Sequence, residues 1–405
     1  MRIAGFLFGL VVLMATLANV FTTLVVPRAT SSRMLRVISK GLVTAVRPLL
    51  RRTSTYEAKD RIMAKVGPLG MVLLFVVWLV LLVIAFGFIA WWPSGTNLAH
   101  ALAVAGSSVF TLGIANETGH GSEGIEFIAA GTGLLVIALE IAYLPTLYSA
   151  FSARETEITL LGTRAGIPAW GPEILARHHW FKTTSELPDL FRSWERWAAA
   201  VTESHTNYPS LMWFRSPVPW RFWLTAMTAM LDAAALNDAL RPASAPGHGR
   251  VYLQMGTNCL RGLGRVLRVD FDADPLPTTP IRLTYEEYLD GVRRLEEVGY
   301  EFERTPEEAW PHFSGWRINY EAIVDALTLL VMPPPAPWFL ARPGMGATHF
   351  PRVLNRTPDD PHASNSAEGG DELGGNVDEG VAASPERLEQ EERELGETDR
   401  GPTVR

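Results

Sequence analysis

Only one cysteine, Cys259, occurs among the 405 residues. No intrachain disulfide can form, which excludes a disulfide-stapled secreted scaffold and suits a reducing compartment for the soluble part. Enzyme signatures are missing as well. "GHGR" at 247–250 and "GLGR" at 262–265 are too short for phosphate loops, and the sequence has neither a G-x-S-x-G elbow nor an H-E-x-x-H pair. Extended signals are thin, with only 249–253 and 281–283 reading as short strands, and no repeat of fixed period is visible. Lys and Arg are absent from 93–124. What remains is a mostly helical chain with no nameable catalytic motif and no cofactor signature.

The apolar residues, 47% of the chain, are unevenly spread. Runs at 3–26, 69–92 and 125–151 are each long enough to cross a hydrocarbon core of about 30 Å at about 1.5 Å per residue. The sequence therefore predicts three transmembrane helices, the first within 1–27, in an all-α membrane protein. The net charge of -7 belongs to the tail: from residue 357 onward there are fourteen Asp/Glu against four Arg, so the rest carries about +3. That distribution points neither to nucleic acid nor to an acidic substrate.

The linker over 28–66 carries Arg28, Arg33, Arg36, Lys40, Arg47, Arg51, Arg52, Lys59, Arg61 and Lys65 against only Glu57 and Asp60. The positive-inside rule places it in the cytoplasm of a multi-pass cell-membrane protein. The N-terminus and 93–124 then lie outside, and everything after 151 is cytoplasmic. A cleaved signal is the competing reading of the first run, since Ala15 and Ala18 imitate a cleavage site. The run is longer than the usual h-region of about 7–15 residues, and cleavage would strand the basic linker outside. Leu35, Ile38, Leu42, Val43 and Val46 alternate with the cations at helical spacing, which suits a helix lying on anionic lipid headgroups.

A helical domain is predicted over 156–345. Leu187, Leu190, Phe191, Trp194, Trp197, Ala198 and Val201 form one apolar stripe. "TYEE" at 284–287 and "TPEE" at 305–308 read as capping boxes, so helices should begin near 285 and 306, the second interrupted early by Pro311 and resuming over about 316–330. Residues 220–240 suggest a buried or membrane-surface helix, because the uninterrupted apolar run is too short to span. "PPPAPW" at 333–338 reads as a stiff extended end to the folded region, and 346–405 as a disordered acidic tail.

Between the second and third runs, "PSGTNLAHALAVAGSSVFTLG" (93–113) opens on the capping residues Ser94, Thr96 and Asn97 and continues as a short Ala/Leu/Val helix. Too short to cross, such a helix dips into the bilayer and returns, and irregular backbone at that depth must be enclosed by protein or line water. The inward C-terminus would favour a cation.

The order of these parts resembles the pore-loop cation channels, in particular the two-helix potassium channels of bacteria. Within a module over 67–155, an outer helix (69–92), pore helix (96–110), filter (111–116) and inner helix (125–151) all have counterparts. Against the family pattern T-x-x-T-V-G-Y-G-D, the chain reads "SVFTLGIAN": Ser108 stands for the first Thr, Thr111 for the second, Leu112 for Val and Gly113 for the first Gly. Ile114, Ala115 and Asn116 replace Tyr, Gly and Asp. The inner helix ends in "FSARE", similar to the family's "VGRE"-type ending. The resemblance implies a homotetramer that conducts a monovalent cation, potassium being possible, along the carbonyls of Thr111, Leu112 and Gly113.

Glu117, Glu123 and Glu126 would form cation-concentrating rings at the outer mouth, or be solvated loop residues. Glu140, seven residues after Gly133, would face the inner cavity, or be a neutral or hydrogen-bonded carboxyl against a neighbouring helix. Gly131 and Gly133 would provide a gating hinge and Pro145 a kink, or serve helix packing. His100, His120 and Glu123 fix no metal geometry, and the adjacent His178 and His179 do not share a helix face, so no metal is expected. Two rivals stand beside the channel: a non-conducting scaffold with a degenerate pore module, and a membrane-anchored enzyme with an unrecognised site in 160–340.

Overall fold

A computed structural model describes residues 1–26, 33–115, 120–276 and 278–339, and every regular element among them is helical. The expected acidic tail over 346–405 lies outside the described residues. Twelve α-helices are described: α1 (Arg2–Leu24), α2 (Arg33–Arg52), α3 (Tyr56–Met63), α4 (Val66–Ser94), α5 (Leu98–Val109), α6 (His120–Ala165), α7 (Gly171–Trp180), α8 (Leu187–Asn207), α9 (Trp223–Leu240), α10 (Gly247–Leu267), α11 (Tyr285–Glu296) and α12 (Pro306–Val331).

α1, α4 and α6 are each long and apolar enough to cross a membrane. α1 runs antiparallel along α4. Arg2 donates to Gly95 O at 2.9 Å at one end, the tilted rings of Phe6 and Trp92 meet with centroids 4.9 Å apart, and further down Trp78 Nε1 donates to Asn19 Oδ1 at 2.9 Å. Outward faces stay apolar, with Val11 and Met14 on α1, Val76 and Val80 on α4, and Leu134, Leu135, Ile141 and Leu144 on α6 all exposed. Such bands require lipid or another chain against them.

α2 packs Ile38, Leu42, Val43, Val46 and Leu50 toward α3, α4 and their neighbours, leaving Lys40, Arg47, Arg51 and Arg52 exposed. α3 opens on Thr55, whose hydroxyl accepts from Ala58 N.

From α7 onward the helices gather around α9, which packs against α6, α7, α8, α10 and α12. Its Ala, Met and Leu residues are apolar on every side, and all but Asp238 are buried, as an enclosed helix demands. The segment over 220–240 is thus a central core helix. Both capping boxes form, with Thr284 and Glu287 opening α11 and Thr305 and Glu308 opening α12.

Several expectations are corrected. α12 passes through Pro311 without a break: at the sixth helical position the proline removes one hydrogen bond near an end already held by a cap, and buried Ala309 and Phe313 on either side anchor the turn. Residues 249–253 fall inside α10, and 281–283 form no strand. The third apolar helix does not stop at 151 but continues to Ala165. "PPPAPW" is part of the core at its end, where Trp338 is buried against Phe313 and Trp170 and donates from Nε1 to Glu287 O at 2.8 Å.

Candidate functional site

α5 is held between α4 and α6. Asn97 caps its start by accepting from His100 N at 2.8 Å. Its end is a reverse turn in which Thr111 N donates to Ser108 O at 2.9 Å and Leu112 N to Ser107 O at 2.8 Å, the paired bonds of a Schellman motif. That motif needs a left-handed residue at the position after the cap. Glycine usually supplies it, but here Thr111 does, with φ 53°. For a β-branched residue this is strained backbone, stabilised only by surrounding structure. Gly113 is left-handed too, at φ 67°, while Leu112 and Ile114 are not, so the handedness alternates along 111–114.

The loop is tied back by a residue outside the matched pattern. Ser107, buried beneath it, accepts on Oγ from Ile114 N at 3.0 Å and Ala115 N at 3.1 Å. Ser108 is only half-buried. Sequence reasoning chose Ser108 by alignment to a pattern, and helical phase would also have favoured it, since 101, 104 and 105 share a face with 108; Ser107 is buried because neighbouring helices enclose α5 beyond that face. Ala115, which stands where the family pattern has its second Gly, does not adopt a left-handed conformation.

Within the single chain the loop is open. Leu112 is 59% and Ile114 81% exposed, and Phe110, Thr111 and Gly113 are exposed with them. Below it, Gly133 on α6 receives the carbonyl of Val109: a Cβ at this position would lie 2.1 Å from that oxygen. Gly131 meets nothing within 4 Å, and Pro145 sits inside the unbroken α6. Glu123 is exposed and Glu126 half-buried at the start of α6, while Asn116 and Glu117 lie outside the described residues. Glu140 is 8% exposed, on the same buried stripe of α6 as Gly133, Val136, Tyr143 and Leu147. Within the single chain this stripe packs on the chain's own helices, its neighbours Val136 and Tyr143 belonging to clusters with α4 residues.

At the foot of α4 and α6, three elements meet through buried arginines that the sequence reading passed over. Arg154, in α6, bonds Glu155, His205 Nε2 at 3.0 Å, Leu211 O at 2.9 Å and Phe214 O at 2.8 Å. Glu155 in turn accepts from Ser216. Arg215 pairs with Asp60 of α3 at 2.5 Å and donates to Val331 O and Met332 O at the end of α12. Trp220 Nε1 donates to Glu57 at 2.9 Å. The segment over 208–222 thereby touches α3, the lower part of α6 and the end of α12. Two further knots, Glu173 with Arg177 and Arg294, and Arg317 with Asp232 and Glu321, join α6, α7, α9, α11 and α12. Burial and the Arg154 charge hold the His205 imidazole well below its usual range, and burial pushes the Cys259 thiol up to about 12, leaving it inert as a nucleophile.

A cavity of about 310 Å3 opens beside Thr184, Ser185, Asn237, Arg241 and Ser244. Its lining holds no carboxylate, imidazole or thiol to act as a general base. Compared with protein-family models, curated proteins and solved structures, the chain matches none.

Proposed function

We propose that the chain is the subunit of a homotetrameric cation channel in a cell membrane, with 111–115 as its narrow part and the helices from α7 onward as a cytoplasmic regulatory domain. One observation carries the reading: α5, a twelve-residue helix too short to cross, ends among crossing-length helices in a strained turn of alternating handedness whose far side is uncovered. Alternation of this kind turns successive carbonyls toward one side, and irregular backbone at membrane depth needs an enclosure that one chain does not supply. Copies arranged about an axis would supply it. The N-terminus and 93–124 would then lie outside, and exposed Lys40, Arg47, Arg51 and Arg52 would meet anionic headgroups on the inner leaflet. Apolar Leu112 and Ile114 favour a second reading, a non-conducting scaffold that keeps the pore-module arrangement.

Purified protein reconstituted in liposomes should be tetrameric and pass potassium or sodium in single-channel recording. Restoring the family residues with Ile114→Tyr and Ala115→Gly should shift permeability toward potassium. Unchanged selectivity in a conducting variant would remove 111–115 from the ion path, and absence of current from tetramers at every voltage and pH would favour the scaffold.

A further inference from the structure

The apolar lengths of the crossing helices hold a single carboxylate and no countercharge. α4 contains no Asp, Glu, Lys, Arg or His; α1 has none after Arg2; α5 has only His100; and between Glu126 and Arg154 the only charged residue of α6 is Glu140. Its side chain is packed inside the chain, 8% exposed, with Oε1 buried and lacking a hydrogen-bond partner. Along α6 it falls between Val136, which clusters with Leu74, Trp78 and Val20, and Tyr143, which clusters with Met71 and Leu24. It thus sits where α6 meets α4 and the lower half of α1. The titratable group nearest along its own helix is the Tyr143 phenol. Polar groups on that half of α1 are Thr16 and Thr22, whose hydroxyls donate to carbonyls of their own helix, Asn19, engaged by Trp78, and Thr23, whose Oγ1 is also buried without a partner.

An ionised carboxylate there would have no cation beside it and no donor at Oε1, and its removal from water would go uncompensated. Protonation removes the charge and supplies an O–H donor for neighbouring oxygens. We propose that Glu140 is a proton-binding site within the membrane, a neutral carboxyl seated in the α1/α4/α6 contact. Proton release would place an unpaired charge in that contact and loosen it. The site does not depend on whether 111–115 conducts.

Dicyclohexylcarbodiimide, an apolar reagent that attacks protonated carboxyls, tests this on the full-length protein in liposomes. One adduct per chain should form near neutral pH, map by peptide mass to α6 at Glu140, and vanish in Glu140→Gln. A water-soluble carbodiimide with an amine nucleophile should leave Glu140 unmodified while labelling exposed carboxylates. The mapping uses wild-type protein, so it holds even if the variant folds poorly. The proposal is overturned by absence of the adduct at every pH in folded protein, by equal labelling with the water-soluble reagent, or by protection when sodium or potassium replaces choline, which would make Glu140 a metal-cation site.

Discussion

His205 shows how a single buried side chain ties stability to pH. It is fully enclosed, its Nε2 accepts from Arg154, and both burial and that cation disfavour the imidazolium. His178, buried beside Ile174 O, is shifted in the same direction, chiefly by burial. Above the usual histidine value of 6.5 both are neutral, folded or unfolded, and the full stability is present. Below it the unfolded chain takes up protons that the folded chain refuses, so each buried histidine destabilises by up to about 1.4 kcal/mol per pH unit. Thermal unfolding of the detergent-solubilised protein should therefore shift to lower temperature from pH 7 to pH 5. His205→Gln, which keeps an acceptor for Arg154, should flatten that slope; an unchanged slope would mean His205 does not titrate on unfolding.

At the scale of elements, the decisive contact is α5 against α6. Gly133 admits the Val109 carbonyl so closely that any side chain displaces it. Gly133→Val should cost about 1–3 kcal/mol by overpacking, read as a lower unfolding temperature, whereas Gly131→Val, with open space around it, should cost far less. Much of this level was legible in the sequence. The three long helices follow from apolar length, and the starts of α5, α11 and α12 from Asn97, Thr284 and Thr305, because capping acts within four residues. The remainder depends on distant partners. Nothing local tells that Pro311 is carried through, that Ser107 rather than Ser108 restrains the loop, or which neighbours enclose Glu140. Helical phase put Glu140 and Gly133 on one face but left open whether that face meets water or protein.

Across the whole molecule, Arg215 joins parts 155 residues apart in sequence, binding Asp60 just before α4 and the carbonyls that end α12. Replacing Arg215 by Met leaves Asp60 buried and unpaired, and should destabilise by about 3–5 kcal/mol. Adding Asp60→Asn should recover part of that loss. Failure of the double variant to recover in thermal unfolding would assign the effect to lost packing instead of the stranded charge.

α6 gives the molecule one more property. Its 46 residues, at about 1.5 Å each, make a rod of roughly 70 Å that begins beside α5 and ends at the buried Arg177 contact. No loop separates its apolar length from the part that anchors Arg154. A protease that cuts exposed loops therefore finds no seam there, and digestion should not separate the apolar length of α6 from the part that carries Arg154. The two parts are one piece of backbone, cut from the same cylinder.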